Sequence, residues 1–259
     1  MTRNLRAAYR LLRKKGISDF SQLVYNMVKL RVEIYVRGRN RTVALDGCRF
    51  PLRDLPDTQM KLELLTGRYE QPERSAARGH IRREWPVVEL GGCIGVVACV
   101  TNKMLQDSKA HVVLEANPLV IPQLKSNRDA NNCSFKIMNR ALSYDSDSVT
   151  FSPLIDFWGN SLHHDGGREP PVTVPATQLR QILAEEQFET YALICDIEGQ
   201  EYELVMREPE ALRRAELIIM EVHPHMIGEE KVQTLLSKLA GLGFKTIDQS
   251  ALVVVLSRA

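Results

Sequence analysis

Two hydrophobic rhythms divide this chain. From Pro86 onward, unbroken apolar runs of a few residues alternate with segments in which apolar side chains recur every three or four positions. The runs Val87–Leu90, Ala110–Leu114, Phe135–Asn139, Tyr191–Cys195 and Glu216–Val222 predict strands buried on both faces. The spaced segments predict helices over Gly95–Leu105, Leu119–Asn131, Gln200–Val205 and Glu229–Leu239, and one capped by Thr177 that runs to about Gln187. After the third strand, Val149–Ser152 and Val172–Val174 predict an antiparallel excursion around a loop from Asn160 to Pro171. Phe244–Ile247 and Ala251–Leu256 predict a closing hairpin. Such alternation builds an α/β fold: a doubly wound, seven-stranded Rossmann-like sheet whose last strand is antiparallel.

Upstream, residues 3–15 and 19–30 have helical spacing with Gly16 as the stop between them. Val32–Val36 and Thr42–Leu45 alternate around Arg37-Gly38-Arg39-Asn40, which predicts a hairpin, and Cys48–Leu52 adds a third short strand. Asp57–Leu65 is helical, and the charged residues 71–84 predict a helix closing over the sheet edge. The expected division is a helical and β-hairpin extension over 1–84, followed by a ligand-binding domain over 85–259.

The turn after the first long strand reads Glu89-Leu90-Gly91-Gly92-Cys93-Ile94-Gly95, and the second strand ends in Glu115-Ala116-Asn117-Pro118. Glycines at a strand end let the backbone approach a ligand, and a carboxylate at the next strand end accepts hydrogen bonds from ribose hydroxyls. Dinucleotide folds use G-x-G-x-x-G around a pyrophosphate. Here the spacing is E-x-G-x-x-x-G, which suits a nucleoside ligand without a diphosphate. Gly91, Gly92, Gly95, Glu115 and Ala116 are therefore the predicted cofactor site. Glu89 is expected to orient the glycine turn or an amine of the ligand, with Asn139 and Arg140 bordering the base.

Further motifs follow in order: Gly67-x-Tyr69-Glu70, Asn139-Arg140-Ala141-Leu142, Asn160-Ser161-Leu162, Val172–Leu179, Asp196-Ile197-Glu198-Gly199-Gln200-Glu201, and Met220-Glu221-Val222-His223-Pro224. With the glycine turn and the Glu115 segment, these motifs make the chain resemble the FkbM family of methyltransferases, which are mostly O-methyltransferases. The resemblance spans about residues 45–256. It implies the methyltransferase version of the fold, S-adenosyl-L-methionine as cofactor, and a hydroxyl of a sugar, glycan or natural product as acceptor. The chain departs from the family pattern at Glu89 (usually Asp), Gly92 (usually Ala), Cys93 (usually Asn) and Ile194 (usually Lys). Glu89 keeps the charge, Cys93 loses a polar group beside the methionine tail, and Ile194 loses a cation.

Methyl transfer to an alcohol needs the reactants held in line and a proton removed from the acceptor. Asp196, Glu198 and His223 sit at strand ends and are the candidate catalytic residues. Asp196 and Glu198 alternate around Ile197, which would place both on one face of an extended segment. One of the two is a candidate general base, the pair a candidate cation site, and either a cap for the following helix. Glu221, His223 and His225 also alternate, and with Asp196 they offer ligands that suit a transition metal. A histidine before proline at a strand end is commonly structural, so no metal ligand is assigned and a divalent metal is not favoured. Ser161 and His163 in the polar loop are candidate acceptor contacts.

Composition changes this picture in three places. Residues 1–42 carry a net charge of +9, against −7 for the remainder, although the whole chain of 259 residues is only +2. That basic segment is a solvated helix or a contact for an anionic surface. The five cysteines have no paired or metal-ligand spacing and read as reduced thiols. No apolar run reaches membrane length and the N-terminus lacks a signal-peptide core, so a cytoplasmic location is expected. A nucleic-acid partner is not expected: the fourth strand lacks the Asn/Asp-Pro-Pro-aromatic turn that stacks a flipped base, which leaves RNA ribose methylation, suggested by the basic N-terminus, as the minor alternative. The competing class is a degenerate methyltransferase fold that serves as a non-catalytic scaffold.

Overall fold

The computed structural model of the chain describes residues 42–53, 55, 58–152 and 170–258. Strands β1 (Thr42–Leu45) and β2 (Cys48–Pro51) pair antiparallel around Asp46-Gly47. Both turn residues have positive φ, 49° and 82°, which is the geometry an Asp-Gly hairpin turn supplies. The expected partner of β1, Val32–Val36, lies outside the described residues. Helices α1 (Thr58–Thr66) and α2 (Gln71–His80) follow. The buried Arg74 of α2 ion-pairs with Asp46 and donates to the carbonyls of Tyr69 (2.9 Å) and Gly67 (2.7 Å), tying the hairpin turn to the helix.

The central elements are β3 (Val87–Leu90), α3 (Val96–Asn102), β4 (His111–Leu114), α4 (Ile121–Ala130) and β5 (Lys136–Met138). Next come β6 (Ala141–Leu142), β7 (Ser148–Phe151) and β8 (Val172–Thr177), which form a separate three-stranded sheet in the order β6-β8-β7. Then follow α5 (Leu179–Glu186), β9 (Tyr191–Cys195), α6 (Glu201–Arg207), α7 (Pro209–Leu212) and β10 (Ala215–Glu221). The chain closes with α8 (Pro224–Ile227), α9 (Glu229–Gly241), β11 (Phe244–Ser250) and β12 (Val253–Arg258).

The main sheet has seven strands in the order β11-β12-β10-β9-β3-β4-β5. β3, β4, β5, β9 and β10 are parallel to their neighbours within that set, and β12 runs antiparallel to both β10 and β11. This is the expected doubly wound, Rossmann-like sheet of seven strands with its last strand antiparallel. Strand order reverses at β3, with β4 on one side and β9 on the other, so the crevice at a topological switch point opens at the carboxyl ends of β3 and β9. β3, β4 and β9 are buried along their whole length, which is why their sequences run apolar without alternation.

One face of the sheet packs Val88, Leu90, Leu193, Ile218 and Met220 against Ile182 of α5, Leu204 of α6 and Leu235 of α9. The other packs Val87, Ala192, Ile194, Leu217 and Val255 against Ala76 and Ala77 of α2 and Val97 of α3. Helix α2 therefore covers a sheet face rather than the edge predicted from its charge. Its two small alanines permit that close approach; Glu73 and Arg74 are buried with them, and Arg78 is exposed. Edge strand β11 is exposed after Phe244, and Lys245 and Asp248 discourage pairing with another chain. Among the described residues no helix is long and apolar enough to cross a membrane.

Thr177 is not the cap of α5; it is the last residue of β8, and Gln178 takes the cap position. The buried Glu208, from a distant turn, accepts the backbone N–H of Leu179 (2.6 Å) and Arg180 (2.8 Å) and the Tyr144 hydroxyl (3.0 Å). Glu208→Ala leaves these donors without a partner, and should lower unfolding free energy by ~2–3 kcal/mol in urea denaturation. A loss below ~0.5 kcal/mol would show that water replaces the carboxylate.

Candidate active site

A cleft of about 750 Å³ lies at the carboxyl ends of β3, β4, β9 and β10. Gly91, Glu115, Asp196, Glu221 and His223 contribute from those strand ends, Tyr69, Glu70 and Glu73 from the entry to α2, and Leu252 from the last hairpin.

The glycine turn is pinned to the neighbouring strand, since Gly91 and Gly92 both donate to the Leu114 carbonyl (2.9 and 3.0 Å). Gly91 has φ 89°, and a Cβ there would lie 1.7 Å from the Asp196 carbonyl oxygen. Only glycine allows β3 and β9 to meet so closely at the crevice. Gly92 and Gly95 do not line the cleft. They make room for Val113 and Leu124 behind the turn.

Glu115 is held by the turn it faces. Its two carboxylate oxygens accept the backbone N–H of Cys93 and of Asn117, each at 2.7 Å. Burial raises its pKa, and the backbone donors oppose that rise. Ala116 and Arg140 line the same end of the cleft; Arg140 is also paired with Glu185 at 2.7 Å. Asn139 does not line it, and instead donates to the carbonyls of Glu115 (2.8 Å) and Ala116 (3.1 Å), bracing the segment that carries the carboxylate. Cys93, at φ 42°, accepts a contact from the Tyr69 hydroxyl at 3.3 Å.

Glu89 is absent from the cleft wall. Strand alternation puts it on the face of Val87, where it is 1 % exposed and its carboxylate stands 3.4 Å from the buried His111. Burial pushes the Glu89 carboxyl from 4.5 up to about 8 and the His111 imidazole from 6.5 down to about 3. The folded chain therefore holds a Glu89 proton that the unfolded chain has lost, and stability falls as pH rises from 4.5 to 8. His111 works in the opposite sense, adding stability as pH rises from 3 to 6.5. Of this pair only Glu89 still titrates above pH 6.5, and it contributes a decline on the order of 1 kcal/mol per pH unit. Glu89→Gln should flatten the decline between about pH 6.5 and 8 in urea unfolding. Identical pH slopes for variant and parent would contradict this.

On the other side of Gly91, Asp196, Glu198, Glu221 and His223 converge. The His223 Nε2 atom stands 3.5 Å from Asp196, 3.4 Å from Glu198 and 3.9 Å from Glu221. Asp196 and Glu198 meet there through a turn, not an extended segment, because Glu198 has φ 49°. Burial, followed by the charges of Glu221, Glu198, Glu70 and Glu73, raises Asp196 well above the usual carboxyl range. Burial and the nearby Glu73 push Glu221 up to about 7, against the opposing pull of His223. Burial alone would lower His223, but its hydrogen bond to Glu201 and the surrounding carboxylates raise it. A hydroxyl placed among these groups would find proton acceptors on more than one side.

Three of these acids escaped the sequence reading of the site. Glu201 is fully buried; it accepts Gly199 N–H (3.0 Å) and Ile197 N–H (3.2 Å) and lies 2.9 Å from His223 Nδ1. It thus caps the turn, the role offered above to Asp196 or Glu198. Glu70 and Glu73 enter from the start of α2; Glu70 was quoted only as part of a motif, and Glu73 was one charge among several on the helix expected over the sheet edge. Ser161 and His163 lie outside the described residues.

Fold and site together define a Rossmann-like protein with a glycine-lined crevice at the switch point and an acidic, histidine-bearing pocket beside it. No family model matches the chain, and no curated protein sequence matches it. Among solved structures it is similar to magnesium protoporphyrin IX methyltransferase from Synechocystis, with bound S-adenosylmethionine, at 10 % identity, 80 % of this chain, 86 % of that chain and TM-score 0.47. It is also similar to an O-methyltransferase from Bacillus cereus in complex with S-adenosylhomocysteine (12 % identity, 72 % and 80 % coverage, TM-score 0.44). A third is a ribosomal protein L11 methylase from Lactobacillus delbrueckii subsp. bulgaricus (10 % identity, 74 % and 80 % coverage, TM-score 0.44). These likenesses are distant, and the fold assignment rests on strand order and direction.

Proposed function

We propose that this chain is an S-adenosylmethionine-dependent O-methyltransferase acting on a hydroxyl of a sugar, glycan or natural product. The observation that carries the reading is the Glu115 carboxylate, clamped by two backbone N–H groups beside Gly91 in the crevice at the switch point. A carboxylate fixed this way keeps free lone pairs for a ribose diol, and the open Cα of Gly91 leaves room for the ligand beyond it. Ala116 offers an apolar surface for the base, and the acids beyond Gly91 face the position of a cationic centre.

When bound, S-adenosylmethionine supplies a methyl group on a positively charged sulfur. Glu115 and the 91–95 turn orient that ligand, Tyr69 and Leu252 narrow the cleft, and Glu198, with His223 held beside it, takes the acceptor's proton. The acidity of the pocket, with Glu70, Glu73, Asp196, Glu198 and Glu221 all on its wall, supports a neutral acceptor over a polyanion such as nucleic acid. Tritium-labelled methyl donor, offered with methyl glycosides, hydroxylated natural products and primary amines, tests the reading. Label is expected on a hydroxyl acceptor, and to vanish in His223→Gln. Label confined to amines would overturn the O-methyl assignment.

A further inference from the structure

The pocket beside Gly91 gathers the carboxylates of Glu70, Glu73, Asp196, Glu198 and Glu221 around His223. Among the described residues, the buried Asp196 Oδ1 atom has no hydrogen-bond partner, and neither has Oε2 of Glu73, a residue only 6 % exposed that lines the same cleft. Leaving buried carboxylate oxygens unpaired is costly, so such oxygens call for a cation. The three groups Asp196, Glu221 and His223 each offer a ligand atom, and these atoms lie within 4.8 Å of one another.

The histidine is oriented as a ligand would be. Its Nδ1 stands 2.9 Å from Glu201, a carboxylate that is itself fixed by Gly199 and Ile197 backbone N–H groups. A metal-bound histidine typically donates its second N–H to just such a carboxylate, which fixes the ring and turns the other nitrogen's lone pair to the ion. His223 Nε2 then faces Asp196, Glu198 and Glu221 at 3.4–3.9 Å. Those separations exceed the ~2.7–3.2 Å of an N–H···O bond. Ligand atoms held ~2.1 Å from a shared ion stand about 3 Å apart when adjacent and about 4 Å when opposite. The spacing therefore fits a common ion better than direct hydrogen bonds.

We infer that Asp196, Glu221 and His223 form a divalent-cation site, with the buried Glu73 lining the cleft beside it. Two carboxylates and one imidazole are oxygen-rich with a single nitrogen donor, a set that suits a manganese-class ion over a thiophilic metal. Cleft-side positions of the ion stay open to water or to the acceptor. The site stands on the chain's own geometry and does not depend on the methyl-donor assignment.

Titration of the full chain with Mn²⁺, followed by loss of the free-ion electron paramagnetic resonance signal, tests it without any methyl donor. One ion per chain is expected, with affinity reduced roughly tenfold or more in Asp196→Asn and in Glu221→Gln. Glu210→Gln, on the exposed surface, should bind as the parent does. Mn²⁺ should also raise the melting temperature of the parent and leave that of the two site variants nearly unchanged. If either variant fails to fold, Glu73→Gln provides the comparison, with an expected loss of several-fold. No uptake at ~1 mM Mn²⁺, or uptake unchanged by every site variant, would overturn the site. Stabilisation by an alkylamine in place of Mn²⁺ would overturn it too, by showing that the acids serve an organic cation. Binding of S-adenosylhomocysteine, measured on the same preparation, separates failure of this site from failure of the proposed function.

Discussion

Glu115→Ala should weaken S-adenosylhomocysteine binding by roughly 100- to 1000-fold in calorimetric titration. Hydrogen bonds to a charged acceptor contribute ~1.5–3 kcal/mol each, and the variant loses both of those expected from the ribose diol. The loss also reaches the protein: the Cys93 and Asn117 N–H groups lose their partner at 2.7 Å, so the turn that cradles the ligand loosens. Glu115→Gln keeps the shape and one acceptor oxygen but puts an N–H₂ against one of those donors, and should lie between alanine and parent. Binding by Glu115→Ala within about threefold of the parent would remove Glu115 from the site.

Gly91→Ala should destabilise the fold by ~4 kcal/mol or more and abolish ligand binding. Its Cβ would lie 1.7 Å from the Asp196 carbonyl oxygen and 2.8 Å from the carbonyl carbon, both backbone atoms that cannot rotate away. The φ of 89° adds a conformational penalty for any L side chain. Relief requires parting β3 from β9 where they form the crevice. Gly79→Ala is the matched control: nothing lies within 4 Å of its added Cβ, and a helical alanine should stabilise by ~0.5–1 kcal/mol. Urea unfolding of both proteins checks the pair, and a Gly91→Ala midpoint near that of the parent would contradict the close approach of the two strands.

These two positions also show what was legible in the residues alone. β3, β4 and β9 are readable because both their faces are buried, which forces continuous apolar runs. Gly91 and Glu115 are readable because a crevice at the carboxyl strand ends follows from sheet topology. Glu89 shows the limit of that reading. It precedes the glycines by two residues, yet the alternation of its strand turns it away to His111. The carboxylate that accepts the first N–H groups of α5, Glu208, is 29 residues from Leu179, a separation at which local pattern carries no signal. β11 extends to Ser250, past the expected Ile247, because ladder pairing with β12 holds a polar edge segment that has no apolar pattern. Glu201 and Glu73 act through partners on other elements, His223 and the Asp196–Glu221 group, so their roles appear only once the chain is folded.

The Gly91–Glu115 crevice is defined most directly by the ligand it accepts. Calorimetric titration of the purified chain with S-adenosylhomocysteine, alongside NADH, measures it. One-to-one saturable binding of S-adenosylhomocysteine and no heat from NADH is the predicted result. Binding of NADH in its place, or no S-adenosylhomocysteine binding at about millimolar concentration, would contradict it.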